Sequence, residues 1–174
     1  MLEEKSSIVS PAKGMEQAPV TDAEGADVPA KVRFDHVNFL YKGAKADSLT
    51  DISLTVKKGQ TIGIIGGTGS GKSSLVNLIP RFYDVREGAV FVDGVNVKDY
   101  RLETLREKIG VVPQKAILFK GTLRENMKWG RKDATDEEIY RALDIAQARE
   151  FVDSKEKGLD LYIDQAGKHS LRIS

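Results

Sequence analysis

Two spacings of apolar residues alternate along the chain. Val32 and Phe34 stand in one phase of a two-residue period, whereas Val37, Phe39 and Tyr41 stand in the other. That predicts a strand over 31–41 with a bulge or a break where the phase slips, at Asp35-His36. Ile52, Leu54 and Val56 alternate with polar residues and predict a half-buried strand, turned by Lys57-Lys58-Gly59. Thr61-Ile62-Gly63-Ile64-Ile65 is apolar in both phases, the pattern of a strand buried on two faces. The spacing then changes to helical over Ser73–Ile79, and Pro80 ends or kinks the helix. Glu87-Gly88 opens a hairpin in which Val90 and Val92 share one side, Asp93-Gly94 makes the turn, and Val95 and Val97 return.

Beyond the hairpin, Leu102, Leu105 and Ile109 predict a short helix over 102–108, stopped by Gly110. Val111-Val112 reads as a strand closed by Pro113-Gln114. Residues 116–130 follow no single period. Thr135 and Glu138 have capping-box spacing, and Ile139, Ala142, Leu143 and Ala146 continue it as the core-facing stripe of a helix. From Leu159 to Ser174 no period emerges. Residues 1–30 contain Ser, Pro, Ala, Gly and acidic residues without an aromatic, too little apolar surface to offset ordering entropy, and read as a flexible linker or tail. The folded part is therefore expected over 31–174.

Composition narrows the function classes. With 27 Lys and Arg against 26 Asp and Glu in 174 residues, the chain is not a nucleic-acid binder acting through bulk charge. The absence of cysteine excludes disulfides and thiolate metal sites. No apolar run reaches membrane-spanning length, and the first residues, with Glu3 and Glu4, do not form a secretory signal, so a cytoplasmic location is expected.

The chemistry concentrates at Gly66-Gly67-Thr68-Gly69-Ser70-Gly71-Lys72-Ser73, continued by Ser74. A glycine, four free positions and Gly-Lys-Ser, placed between a predicted strand and a predicted helix, is a phosphate-cradling P-loop. The glycines permit turns closed to other residues and let phosphate oxygens approach the main chain. Successive amides and the helix start then supply positive potential. Lys72 reaches the terminal phosphates, and the Ser73 hydroxyl is the expected Mg²⁺ ligand. Charged hydrogen bonds contribute about 1.5–3 kcal/mol each, so several hold a nucleotide near micromolar affinity. Asp93 follows an apolar strand and mimics a metal-binding aspartate. Its place before Gly94 in a tight turn, with no acidic residue after it, assigns it to the turn. His36 lacks metal-binding neighbours and reads as a surface residue.

From about Val32 to Lys168 the chain resembles the nucleotide-binding domain of ATP-binding cassette (ABC) transporters of the exporter branch. Val37-Asn38-Phe39-Leu40-Tyr41 resembles the first-strand motif, Val112-Pro113-Gln114 the Q-loop, and Phe119-Lys120-Gly121-Thr122-Leu123-Arg124-Glu125-Asn126 an exporter segment. The resemblance implies an α/β P-loop NTPase fold of the ABC type, with an antiparallel β subdomain. It implies ATP and Mg²⁺ as ligands, with Tyr41 stacked on adenine and Gln114 meeting Mg²⁺ and the attacking water. It further implies residues 115–130 near the coupling helices of a membrane-spanning domain, a second nucleotide-binding domain as dimer partner, and a place on the cytoplasmic face of the membrane.

The resemblance breaks off after Gly167-Lys168. Where the family has Ser-Gly-Gly-Gln, then a strand ending in Asp-Glu and a switch histidine, this chain reads His169-Ser170-Leu171-Arg172-Ile173-Ser174. The sequence therefore reads as a cassette truncated before the signature motif, expected to bind nucleotide without efficient hydrolysis. A non-catalytic nucleotide-binding module is the alternative. A soluble P-loop ATPase of the DNA-repair or translation type is a second, disfavoured by the linker and the segment from Gly121 to Asn126.

Overall fold

The structure is a computed structural model that describes residues 8–11, 14, 30–115 and 117–164. The chain divides into two compact units, one ending at Val111 and the other beginning at Val112.

The first unit is built on a four-stranded antiparallel sheet. Its strands are β1 (Ala30–Phe39), β2 (Leu49–Lys57), β3 (Glu87–Val92) and β4 (Val95–Asn96), in the order β2-β1-β3-β4. β1 is central, pairing Phe34 with Leu54 on one side and with Val90 on the other. The predicted phase slip is a bulge. Register shifts between Phe34 and Val37 against β2, and between Asp35 and Asn38 against β3. His36 takes a φ of 45°, and its amide donates to Ser53 Oγ at 3.2 Å. The bulge changes the phase so that Phe34, Val37 and Phe39 are all buried despite their mixed spacing. The Asp93-Gly94 turn has φ values of 50° and 78°, both positive as a two-residue hairpin requires.

Two helices complete this unit: α1 (Lys72–Leu78) and α2 (Leu102–Glu107). Leu78 and Leu105 join Phe34, Val37, Phe39, Val90 and Val92 in one core. Tyr100 is fully buried there, and its hydroxyl donates to the Val92 carbonyl at 3.0 Å, satisfying the one polar atom that the ring carries inside. Behind α1, the Arg106 guanidinium donates to the carbonyls of Pro80 and Arg81, each at 3.2 Å.

Two predicted strands are absent. Residues 61–65 form no strand and pair with none among the described residues, and Ile65 is 99% exposed. Val111-Val112 is likewise unpaired, with Val112 97% exposed. Apolarity in both phases records a need for sheet neighbours on either side, and neighbours come only from other segments. Where the described residues supply none, the segment forms no strand and leaves its apolar side chains exposed.

Part of the predicted linker is also ordered against the fold. The Leu102 amide donates to Ser10 Oγ at 2.8 Å across 92 positions. Arg101, at the N-cap of α2, offers no side-chain acceptor of its own, so Ser10 supplies the cap. Gly14 approaches so closely that a Cβ on it would lie 2.8 Å from the Arg101 amide nitrogen. The remainder of residues 1–30 lies outside the described residues, apart from Ile8, Val9, Pro11 and Ala30.

The second unit holds α3 (Leu123–Met127), α4 (Asp136–Ile145), α5 (Arg149–Asp153), a 3-10 turn at Gly158–Asp160, and a two-stranded antiparallel sheet of β5 (Gly121–Thr122) and β6 (Tyr162–Ile163). The capping box predicted at Thr135 and Glu138 is formed, with both reciprocal hydrogen bonds present. A second box, Thr122 with Glu125, starts α3 inside the stretch without a period. Ile139, Leu143, Val152 and Leu159 form the core. Ala142 and Ala146, assigned to the same stripe, are exposed, because the helix buries only the arc centred on Ile139 and Leu143. Gly167, Lys168 and His169, on which the family pattern turns, lie outside the described residues.

Candidate nucleotide-binding site

Within the loop from Gly66 to Ser73 two glycines meet close neighbours, Gly71 a backbone carbonyl and Gly66 a side-chain hydroxyl. A Cβ on Gly66 would sit 2.6 Å from Ser70 Oγ. One on Gly71 would sit 2.6 Å from the Ser48 carbonyl oxygen and 2.8 Å from Leu49 Cδ2. Gly71 is the N-cap of α1 with a φ of 82°, a left-handed backbone that favours glycine, so the turn into the helix depends on it twice. Its carbonyl accepts from the Leu75 amide at 2.9 Å and starts the helical ladder.

Lys72 folds back over this loop. Its Nζ donates to the carbonyls of Gly66 at 2.7 Å and Gly67 at 2.6 Å, and to Ser70 Oγ at 3.1 Å. The ammonium thus occupies the mouth of the turn and satisfies its carbonyls. An anion arriving there finds the positive charge in place, and the lysine needs only to exchange these acceptors for oxygens of the ligand.

The loop opens on a cavity of about 230 Å³ lined by Tyr41, Ser48 and the stretch from Gly69 to Ser74. No carboxylate lines it. Ser73 is exposed on its wall. Ser74 is buried, and its Oγ hydrogen-bonds the Tyr41 hydroxyl at 3.0 Å. Of the predicted residues, Gly69 to Ser74 and Tyr41 therefore come together on one cavity whose lining does not include Gly66, Gly67 or Thr68, and Ser74 serves there as the link to the aromatic. Phe39 and Tyr83 stand edge-on or tilted to Tyr41 and to each other. Tyr83 was not singled out in the sequence, where it is one of several aromatics after Pro80.

Gln114 belongs to the second unit, at an exposed bend. Asp93 sits in its hairpin turn, bonded by Lys31 Nζ at 2.6 Å and by Lys108 Nζ at 3.4 Å. Partial burial pushes its carboxyl pKa upward, but the two lysines together outweigh that and hold it below the usual range. The charge is fully engaged within the sheet. Among the described residues no group of three or more His, Asp or Glu side chains could hold a metal ion unaided. In this loop a magnesium ion would find the Ser73 hydroxyl as a ligand, and such a small, reluctantly dehydrated cation commonly keeps several waters and takes phosphate oxygens besides.

In the second unit, Ile117, Leu118, Phe119 and Trp129 are exposed, and the last two stack with ring centroids 4.7 Å apart. The Asn126 side chain fixes Phe119 by accepting from its amide at 2.7 Å and donating to its carbonyl at 2.9 Å. Among the described residues no helix is long and apolar enough to cross a membrane.

Comparison with known proteins gives a consistent picture. The family model described as ABC transporter matches residues 49–161. A Staphylococcus aureus protein (strain NCTC 8325 / PS 47) named as a multidrug export ATP-binding/permease protein is 44% identical over 137 residues, covering 79% of this chain and 24% of that protein. Its counterpart in the bovine strain RF122 / ET3-1 is 45% identical over 132 residues, covering 76% of this chain and 23% of the relative. The solved structure of a bacterial Atm1-family ABC exporter with ATP bound aligns with a TM-score of 0.75 at 32% identity, over 85% of this chain and 26% of that one. The chain thus spans about a quarter of the length of the relatives it matches.

Proposed function

Given that the chain belongs to the ABC transporter family and matches the ATP-binding part of its exporters, we propose that it binds ATP with Mg²⁺ at the Gly66–Ser74 loop. The observation that carries this reading is the loop itself: Gly71 pinned where no Cβ fits, with Lys72 Nζ already drawn to the carbonyls of Gly66 and Gly67. The loop amides and the start of α1 receive the triphosphate, and Lys72 neutralises its charge. The Ser73 hydroxyl would hold magnesium, which when bound would offset the negative charge of the phosphates. Tyr41 lines the same cavity and offers its ring to the adenine, a contact of about 1–3 kcal/mol.

Gln114, exposed at its bend, is the proposed polar contact to Mg²⁺ and the attacking water. The lining of the cavity offers no carboxylate base, so these residues alone bind nucleotide without efficient hydrolysis. The names of the relatives support a permease partner. We place the exposed cluster of Ile117, Leu118, Phe119 and Trp129 against a membrane-spanning domain, at the cytoplasmic face, with a second ATP-binding domain completing the assembly.

Titration of the chain with Mg-ATP tests the reading. Lys72→Ala is expected to weaken binding at least about tenfold, as loss of a charged hydrogen-bond donor predicts. Equal affinity of the wild type and Lys72→Ala would refute it.

A further inference from the structure

Tyr41 is held at two places. Its hydroxyl is fixed by Ser74 Oγ, at the first turn of α1. That bond restrains the tip of the side chain and leaves the ring free to turn about its own long axis. The plane of the ring is what a stacked base reads, so something else must set it. Phe39 meets Tyr41 edge to face, with centroids 4.6 Å apart and planes at 76°. Tyr83 meets it from the segment after α1, with centroids 5.1 Å apart and planes at 84°. Phe39 and Tyr83 close the triangle at 5.5 Å. Phe39 is a core residue at 2% exposure and cannot be altered without disturbing the sheet, whereas Tyr83 is 40% exposed.

We propose that Tyr83 is a positioning residue for the base platform: it fixes the plane of the Tyr41 ring and thereby sets affinity for the base of a nucleotide, separately from the phosphate tail. The inference rests on the reading of Tyr41 as that platform. It assigns to a side chain outside the phosphate loop the share of selectivity that depends on ring orientation. An aromatic pair of this geometry corresponds to about a 2- to 10-fold change in Kd.

The test compares Mg-ATP with inorganic tripolyphosphate, which shares the tail and lacks the base, on the full chain. Tyr83→Leu is expected to weaken ATP about 2- to 10-fold and to leave tripolyphosphate within about twofold, and Tyr83→Phe to restore ATP binding. Should Tyr83→Leu melt early by circular dichroism, Tyr83→Met, which keeps bulk without a ring, carries the same comparison. Equal weakening of both ligands would make Tyr83 merely structural and overturn the inference. Tyr41→Ala separates the two levels. If it leaves the ATP-to-tripolyphosphate ratio unchanged, the platform reading falls and this inference with it. If it changes the ratio while Tyr83→Leu and Tyr83→Met do not, this inference alone falls.

Discussion

Gly69 and Gly71 allow the geometry of the phosphate loop to be tested without any ligand. Both hold a left-handed backbone, with φ values of 81° and 82°. Alanine in that conformation costs about 1–2 kcal/mol at either position. The two differ in what a new methyl group would meet. At Gly69 nothing lies within 4 Å, so the backbone term is the whole cost. At Gly71 the methyl would stand 2.6 Å from the Ser48 carbonyl oxygen and 2.8 Å from Leu49 Cδ2. Optimal contact is about 3.5 Å or more, so the start of β2 must retreat by roughly 0.7–0.9 Å. Leu49 is buried and the obstructing oxygen is backbone, so neither can simply rotate away. Overpacking of this kind costs about 1–3 kcal/mol. Gly71→Ala is therefore expected to destabilise the chain by about 2–5 kcal/mol and Gly69→Ala by about 1–2 kcal/mol. Urea denaturation followed by circular dichroism reads the difference as a lower midpoint for Gly71→Ala at similar slope. Coincident midpoints would show that the loop does not press on β2 and would remove the structural basis for the pinned cradle.

Two further predictions concern the first unit. Ser10→Ala removes the side-chain cap of α2 and should destabilise by about 0.5–2 kcal/mol, with faster amide hydrogen exchange at Leu102 as its local sign; unchanged exchange there would mean that the cap is not held in solution. The His36 imidazole is raised above its ordinary 6.5, first by its hydrogen bond to Asp51 and then by the charge of that carboxylate. A raised histidine stabilises fully below its unfolded value and loses that contribution as pH climbs through the folded one. The melting temperature of the wild type should therefore exceed that of His36→Gln by a small margin at pH values below the ordinary 6.5, and the margin should shrink as pH rises beyond the raised folded value. A margin that widens with rising pH would contradict the assignment.

What could be read from the sequence was local. The bulge at Asp35-His36 showed as a slip in phase, Asp93-Gly94 as a turn dipeptide, and Thr135 with Glu138 as a cap, because each is decided by residues a few positions apart. The turn at Gly71 into α1 was readable for the same reason: its geometry lies in a contiguous run of backbone. The failures share the opposite cause. Apolarity alone points to strands at Ile62, Ile64, Ile65 and Val112, yet strand pairing depends on distant segments. The triangle of Phe39, Tyr41 and Tyr83 joins β1 and its end to a residue 42 positions beyond Tyr41 and has no signal of its own. The Thr122–Glu125 box has the same spacing as Thr135 with Glu138, but it sits within a stretch of mixed period that masks it.

The cap that Ser10 lends to α2 works only because one covalent chain carries both groups. Tethering keeps the serine at a high effective concentration beside an amide that has no acceptor from its own neighbours. A single proteolytic nick between Gly14 and Ala30 would leave all four strands of the β2-β1-β3-β4 sheet uncut. It would nevertheless turn that contact into an encounter between two molecules, and at dilute protein the first turn of α2 would fray while the sheet beneath it stayed folded.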